Sequence, residues 1–170
     1  RDTLREADEL YRALDDLPQQ TVFCFPNSDA GSRELIRRAR AFCDTRERAA
    51  LFVNLNPVVY WSLLRNVSLM LGNSSSGIME TPSLALPTIN IGMRQQGRER
   101  ARNIIDVAAD GAAILDAVRR GLDPSYRASL EGMQNPYGDG RAAERIVRVL
   151  AQVPLGERLL LKKAVALDGD

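Results

Sequence analysis

Leu69-Met70-Leu71-Gly72-Asn73-Ser74-Ser75-Ser76-Gly77-Ile78-Met79-Glu80 is an apolar run that breaks at a glycine, crosses four small polar residues and a second glycine, and enters a helical pattern. It reads as strand, tight loop and helix start. The first N–H groups of a helix have no intrahelical acceptors, and the helix dipole adds positive potential there, so an anion is the natural ligand. Glycine also removes the side chain that would keep a ligand off the backbone. The alternative is that Ser75 or Ser76 merely caps the helix, which is what serine most often does at such a place.

The flanking sequence repeats this unit. Residues 2–17 carry Leu4, Ala7, Tyr11 and Leu14 at helical spacing and end before Pro18. Thr21 to Phe25 is a first strand, closed by Pro26-Asn27. Asp29 to Ser32 opens a helix with Leu35, Ile36, Ala39, Phe42 and Cys43 on one face and arginines on the other. Ala50 to Leu55 is a second strand, and Pro57 opens a helix whose Val58, Tyr60, Trp61, Leu63 and Leu64 predict a heavily buried side. Val67 to Leu71 is a third strand, Gly77 to Leu84 a helix, Pro87 to Gly92 a fourth strand and Ile104 to Val107 a fifth. Helices follow at 111–121 and 139–152, the last with Asp139 as its N-cap, and Pro124 to Gly132 forms a short helix or connection. Strands alternating with helices predict a Rossmann-like α/β fold, a parallel sheet with helices on both faces. We expect a nucleotide-binding domain over 1–152 and a tail or short helix over 153–170.

Composition narrows the function. The 170 residues suffice for one core, and 45% hydrophobic with 26% charged residues indicates a globular chain. A net charge of +1 provides no field for nucleic acid or an anionic membrane. No apolar run approaches the roughly 18 residues of a membrane span, so a cytoplasmic protein is expected. The first residue is Arg1, so the chain reads as a piece of a longer one. Cys24 and Cys43 have no metal or redox spacing and read as buried thiols. The chain contains no histidine, which excludes a Ser/His/Asp triad or a histidine metal site within it. No cofactor and no metal are expected.

In an open parallel sheet, ligands bind beyond the carboxyl ends of the strands. Those ends carry Asn27, Leu55, the serine loop and Arg94-Gln95-Gln96-Gly97. Glu80, one helical turn beyond the serines, either complements the helix dipole or accepts hydrogen bonds from two vicinal ribose hydroxyls. On the second reading Ser74 and Ser75 hold the phosphates of the same nucleotide and Arg94 supplies a guanidinium to them. Asn27 contacts the sugar or phosphate region, and backbone at Leu55 reads the base. Neither GxGxxG after strand one nor GxxxxGK[ST] occurs, which argues against a dinucleotide domain and a P-loop NTPase.

Phe25 to Ser32, Gly72 to Glu80, Pro87 to Arg98 and Asn135-Pro136-Tyr137-Gly138-Asp139-Gly140 together resemble the second half of UDP-N-acetylglucosamine 2-epimerases. Asn73-Ser74-Ser75-Ser76-Gly77 and Arg94-Gln95-Gln96-Gly97-Arg98 resemble the hydrolysing, sialic-acid-pathway branch. The resemblance covers about residues 1 to 152. It implies the C-terminal half of a GT-B fold, with nucleotide contacts at Asn27, Leu55, Ser74, Ser75, Glu80 and Arg94 and no catalytic residue in this half. It further implies hydrolysis of UDP-N-acetylglucosamine to N-acetylmannosamine and UDP, with acid/base groups in a preceding domain. The expected partners are UDP-N-acetylglucosamine or UDP, that N-terminal domain, and further copies in a homo-oligomer. A non-hydrolysing or GDP-sugar relative, a GT-B glycosyltransferase and a catalytically silent nucleotide-binding module are the alternatives.

Overall fold

The computed structural model describes residues 3–25 and 32–161. In chain order these form α1 (Thr3–Asp15), β1 (Thr21–Phe25), α2 (Ser32–Asp44), β2 (Ala49–Val53), α3 (Pro57–Asn66) and β3 (Met70–Gly72). There follow α4 (Ser75–Met79), a 3₁₀ turn (Thr81–Leu84), β4 (Thr88–Ile91), β5 (Ile104–Val107), α5 (Gly111–Leu122), α6 (Pro124–Ser129), α7 (Ala142–Gln152) and α8 (Glu157–Leu160). Two compact units result, Arg1–Tyr137 and Gly138–Asp170, and the expected limit at residue 152 lies within the second.

All strand pairing in the first unit is parallel, as the alternation of strands and helices requires. β1 pairs with β2, from Thr21 beside Ala49 to Phe25 beside Val53. β3, β4 and β5 lie in that order, with Gly72 beside Asn90 and Asn90 beside Asp106. The chains leaving β3 and β4 therefore emerge side by side. One core holds Ile89, Ile91, Ile105, Ile114, Ala117 and Val118, and the other holds Leu14, Phe23, Ala39 and Phe42. Leu71 of β3 and Leu10 and Leu17 pack against both cores. All four residues of β4 are buried. Because side chains alternate along a strand, Ile89 and Ile91 enter the apolar core while Thr88 and Asn90 take the opposite face. This is a strand covered on both sides; the strands are parallel and flanked by helices as the sequence predicts, but they pair as two sheets, β1-β2 and β3-β4-β5, where it predicts one.

Several boundaries differ from expectation for local reasons. Strand three begins at Met70 rather than Val67, because the Val67 N–H closes α3 on Leu63 O and pairing starts where Met70 N–H donates to Pro87 O at 2.9 Å. The helix expected over Gly77 to Leu84 is α4 followed by the 3₁₀ turn, with Pro82 in the turn's first positions. α3 starts at Pro57 as expected, but its apolar side is only partly covered: Leu64 is buried while Val58 is 74% exposed. Cys24 is exposed rather than buried, since it alternates with Phe23, which takes the core side of β1.

In the second unit, Asp139 is not the N-cap of α7; Arg141 is. Gly138 and Gly140 both take positive φ and prolong the turn, so Asp139 Oδ1 accepts from Arg141 N–H at 3.1 Å before the helix begins. Its carboxylate is also paired with Arg145 at 2.7 Å. The chain at 155–170, which the sequence leaves open between helix and tail, forms α8 in its described part.

Candidate functional site

The loop between β3 and α4 is fixed from both sides. Gly72 has φ +145°, a conformation that L side chains rarely adopt, and it turns the chain out of the strand. The carbonyl of Asn73 then accepts two hydrogen bonds from the loop after β4, from Arg94 Nη1 at 3.0 Å and Gln95 Nε2 at 2.8 Å. Gln95 is buried and Arg94 exposed, so one side chain anchors the loop while the other keeps guanidinium N–H groups for a ligand. The serine that caps α4 is Ser74, not Ser75 or Ser76. Its Oγ accepts from Ser76 N–H at 3.3 Å, and its carbonyl accepts from Gly77 N–H at 3.1 Å. Ser75 N–H, in the first turn, has no internal acceptor among the described residues. α4 is only five residues long, so its dipole is small, and attraction for an anion rests on the serine groups and the Arg94 charge.

Glu80 stands at the C-cap of α4, where a carboxylate opposes the helix dipole, and at the N-cap of the 3₁₀ turn, where its side chain makes no capping hydrogen bond. Its Oε2 accepts from Ser76 Oγ at 2.7 Å, and the same Oγ lies 2.7 Å from the Tyr60 hydroxyl of α3. Burial pushes the Tyr60 hydroxyl above its ordinary pKa, outweighing the lowering by its contact with Ser76.

A buried polar network supports the loop from beneath. Thr81 Oγ1 donates to Gly77 O at 2.6 Å and accepts from Thr88 Oγ1 at 2.8 Å and Asn103 Nδ2 at 3.0 Å. Asn103 Nδ2 also donates to Leu86 O at 2.7 Å, and the single Thr88 hydroxyl proton is shared between Thr81 Oγ1 and Leu86 O, the latter at 3.1 Å. Beside it, Asn90 Nδ2 donates to Asp106 Oδ1 at 2.5 Å, and Arg100 Nε donates to Asp106 Oδ2 at 3.0 Å. Burial acts to raise the Asp106 carboxyl, but the bonds from Arg100 and Asn90 hold it below the usual range. Arg100 Nη1 also donates to Arg98 O at 2.7 Å, which ties the Arg94 loop to β5. Sequence reading missed Tyr60, Gln95, Thr81 and Asn103. The polar Thr88 and Asn90 alternating with Ile89 and Ile91 are the one signal that something polar is buried there.

Thus the structure sets Arg94 on the Asn73 carbonyl, next in the chain to Ser74 and Ser75, and Glu80 at the far end of the same short helix, bonded to Ser76. Leu55 is half-buried in the turn after β2, between Asn54, whose φ is +57°, and Asn56, whose Oδ1 accepts from Val58 N–H at 2.9 Å to cap α3. Asn27 lies outside the described residues. Among the described residues no group of three or more His, Cys, Asp or Glu is placed to hold a metal, and no helix is long and apolar enough to cross a membrane.

Over residues 1–151 the chain matches the family described as UDP-N-acetylglucosamine 2-epimerase. It is 38% identical over 147 residues to a UDP-N,N'-diacetylbacillosamine 2-epimerase (hydrolyzing) from Legionella pneumophila, covering 84% of this chain and 37% of that protein. It is 32% identical over 147 residues to the polysialic acid biosynthesis protein P7 of Escherichia coli, covering 85% and 37%. The chain thus spans 37% of the length of each relative. A crystal structure of UDP-N-acetylglucosamine 2-epimerase from Neisseria meningitidis bound to UDP-N-acetylglucosamine superposes with a TM-score of 0.58 at 16% identity, over 88% of this chain and 48% of that one. Such a likeness shows the fold, one half of the GT-B type.

Proposed function

We propose, from a chain that belongs to the UDP-N-acetylglucosamine 2-epimerase family, that its first unit is the nucleotide-gripping part of a hydrolysing 2-epimerase. The observation that carries this is the tie of Arg94 to the Asn73 carbonyl beside Ser74 and Ser75, with Glu80 at the other end of the same short helix. A guanidinium and serine hydroxyl and N–H groups suit a diphosphate, and a carboxylate suits a pair of vicinal ribose hydroxyls. Leu55, in the turn after β2, contributes to the nucleoside side, and the sequence resemblance adds Asn27 to it.

In the reaction, the C1–O bond to UDP and the C2–H bond break, UDP leaving and the C2 proton going to a base of the preceding half; water then adds its hydroxyl to C1 and a proton to the opposite face of C2, which gives the free 2-epimerised sugar. The serine groups and Arg94 stabilise the charge that develops on the departing UDP. Proton transfer at the sugar falls to a preceding half of the longer protein, so this chain alone binds UDP without turnover. We further propose that the full protein works in the cytoplasm as a homo-oligomer. The hydrolysing outcome rests on Asn73–Gly77 and Arg94–Arg98 and on the names of the relatives; product analysis in ¹⁸O-labelled water tests it, since a non-hydrolysing enzyme would return a nucleotide sugar. The identity to the Legionella protein favours a second reading of the sugar, N,N'-diacetylbacillosamine in place of N-acetylglucosamine, which turnover of the two UDP-sugars in parallel decides.

The pocket itself is tested by titrating UDP into the full-length protein and its R94A and E80A variants. Loss of a charge-assisted contact predicts roughly ten- to a hundred-fold weaker binding for R94A. Unchanged affinity in both variants refutes the assignment.

A further inference from the structure

We propose that Tyr60 is a positioning residue for the nucleotide, its hydroxyl acting through Ser76 to set the Glu80 carboxylate where it receives the ribose hydroxyls. This rests on the reading of Glu80 as ribose acceptor given above. Proton counting fixes the direction of the chain. The Ser76 hydroxyl has one proton and gives it to Glu80 Oε2 at 2.7 Å, since a carboxylate has none to donate. At its 2.7 Å contact with Tyr60, Ser76 is therefore the acceptor and Tyr60 the donor. Hydroxyls linked in this order polarise one another toward the carboxylate. Oε2 is held in this way, while Glu80 Oε1 has no hydrogen-bond partner among the described residues and is left for the ligand.

The tie also joins two segments of the pocket. Tyr60 sits in the first turn of α3, whose N-cap Asn56 directly follows Leu55, while Ser76 and Glu80 belong to the segment after β3. A ligand that touches both Leu55 and Glu80 spans two pieces of chain whose spacing the Tyr60–Ser76 bond sets. A tyrosine hydroxyl is protonated at neutral pH even at its ordinary pKa, and burial moves it further up, so Tyr60 is available as a donor.

The test compares three probes on the full-length protein by calorimetric titration: UDP, 2′,3′-dideoxy-UDP, and inorganic pyrophosphate. Y60F removes only the donor. It is expected to weaken UDP about three- to ten-fold, the span of one net hydrogen bond, and to change the other two probes by less than about two-fold. S76A should behave likewise, and Y60F/S76A should be no weaker than S76A alone, because the two groups act in series. Equal weakening of all three probes, or no weakening of UDP, overturns the inference. E80Q separates the two levels. If E80Q abolishes the preference for UDP over the dideoxy nucleotide while Y60F leaves it, this inference alone fails. If E80Q leaves that preference intact, the ribose assignment of Glu80 fails and the role of Tyr60 with it.

Discussion

Replacing Thr81 with valine probes how much of the loop's geometry is held from beneath. Valine keeps the shape of the side chain and deletes a hydroxyl that makes three hydrogen bonds at 2.6 to 3.0 Å in a residue with 0% exposure. The partners do not suffer equally. The Thr88 hydroxyl can still donate to Leu86 O at 3.1 Å, and Asn103 Nδ2 keeps its bond to Leu86 O at 2.7 Å. What is stranded is the second N–H of the Asn103 amide and the bond accepted by Gly77 O. Asn103 cannot turn its amide to compensate, since a flip would set Oδ1 against the Leu86 carbonyl that Nδ2 now holds at 2.7 Å. At about 1–3 kcal/mol for each buried group left unsatisfied, T81V should cost about 3 kcal/mol, a large part of the roughly 5–15 kcal/mol that holds a domain together. T81S keeps the hydroxyl and loses one methyl, worth about 1 kcal/mol. Urea denaturation of the chain followed by circular dichroism reads both. A T81V midpoint that falls no further than that of T81S refutes the claim that the network, rather than the packing of the side chain, supports α4.

Two further perturbations test neighbouring features. At Gly77 an added Cβ would lie 2.9 Å from Thr88 Cγ2, on a side chain pinned by its own hydrogen bonds, so α4 itself must move; G77A should destabilise the chain by about 1–2 kcal/mol despite alanine's better helix propensity, and weaken UDP in the same titration used for Arg94. On α2, hydrogen bonds from Arg37 first and Arg38 second hold the Glu34 carboxyl at about 2, against the usual 4.5. A lowered folded pKa contributes stability that is present above pH 4.5 and is lost as pH falls toward 2, so E34Q should flatten the fall of the urea midpoint over that window, and added salt should shrink the difference because the pair is exposed.

The order of strands and helices was legible because each element carries its own periodicity. Thr21–Phe25 and Ile104–Val107 are strands with the bounds that their β-branched and aromatic residues predict, and Pro57 opens α3 where a proline at the first helical position should. The meeting of the serine loop with the loop after β4 was legible as well, since parallel pairing puts both carboxyl ends of that ladder on one side. Local pattern failed where a neighbour distant in sequence decided the outcome. Asp139 looks like a cap, but two glycines with positive φ carry it out of the helix start and Arg145 claims its carboxylate. Cys24 looks buried in an apolar run, but the alternation of β1 gives the core position to Phe23.

The sequence by itself determined the unit of construction and the chemistry available to the site: a strand, a serine loop between glycines, a carboxylate and an arginine, without a histidine anywhere. Those follow from residue type and from spacing of a few positions. Only the tertiary structure decided how that chemistry is aimed. Ser74 caps while Ser76 bonds to Glu80, the Asn73 carbonyl is shared by Arg94 and Gln95, and Tyr60 reaches Ser76 across sixteen positions. Each depends on which strands lie side by side and in what register, and pairing energy is spread over whole elements, leaving no mark on any single residue. The Gly72–Glu80 stretch names an anion site; the parallel register that sets Gly72 beside Asn90 brings the cation to it.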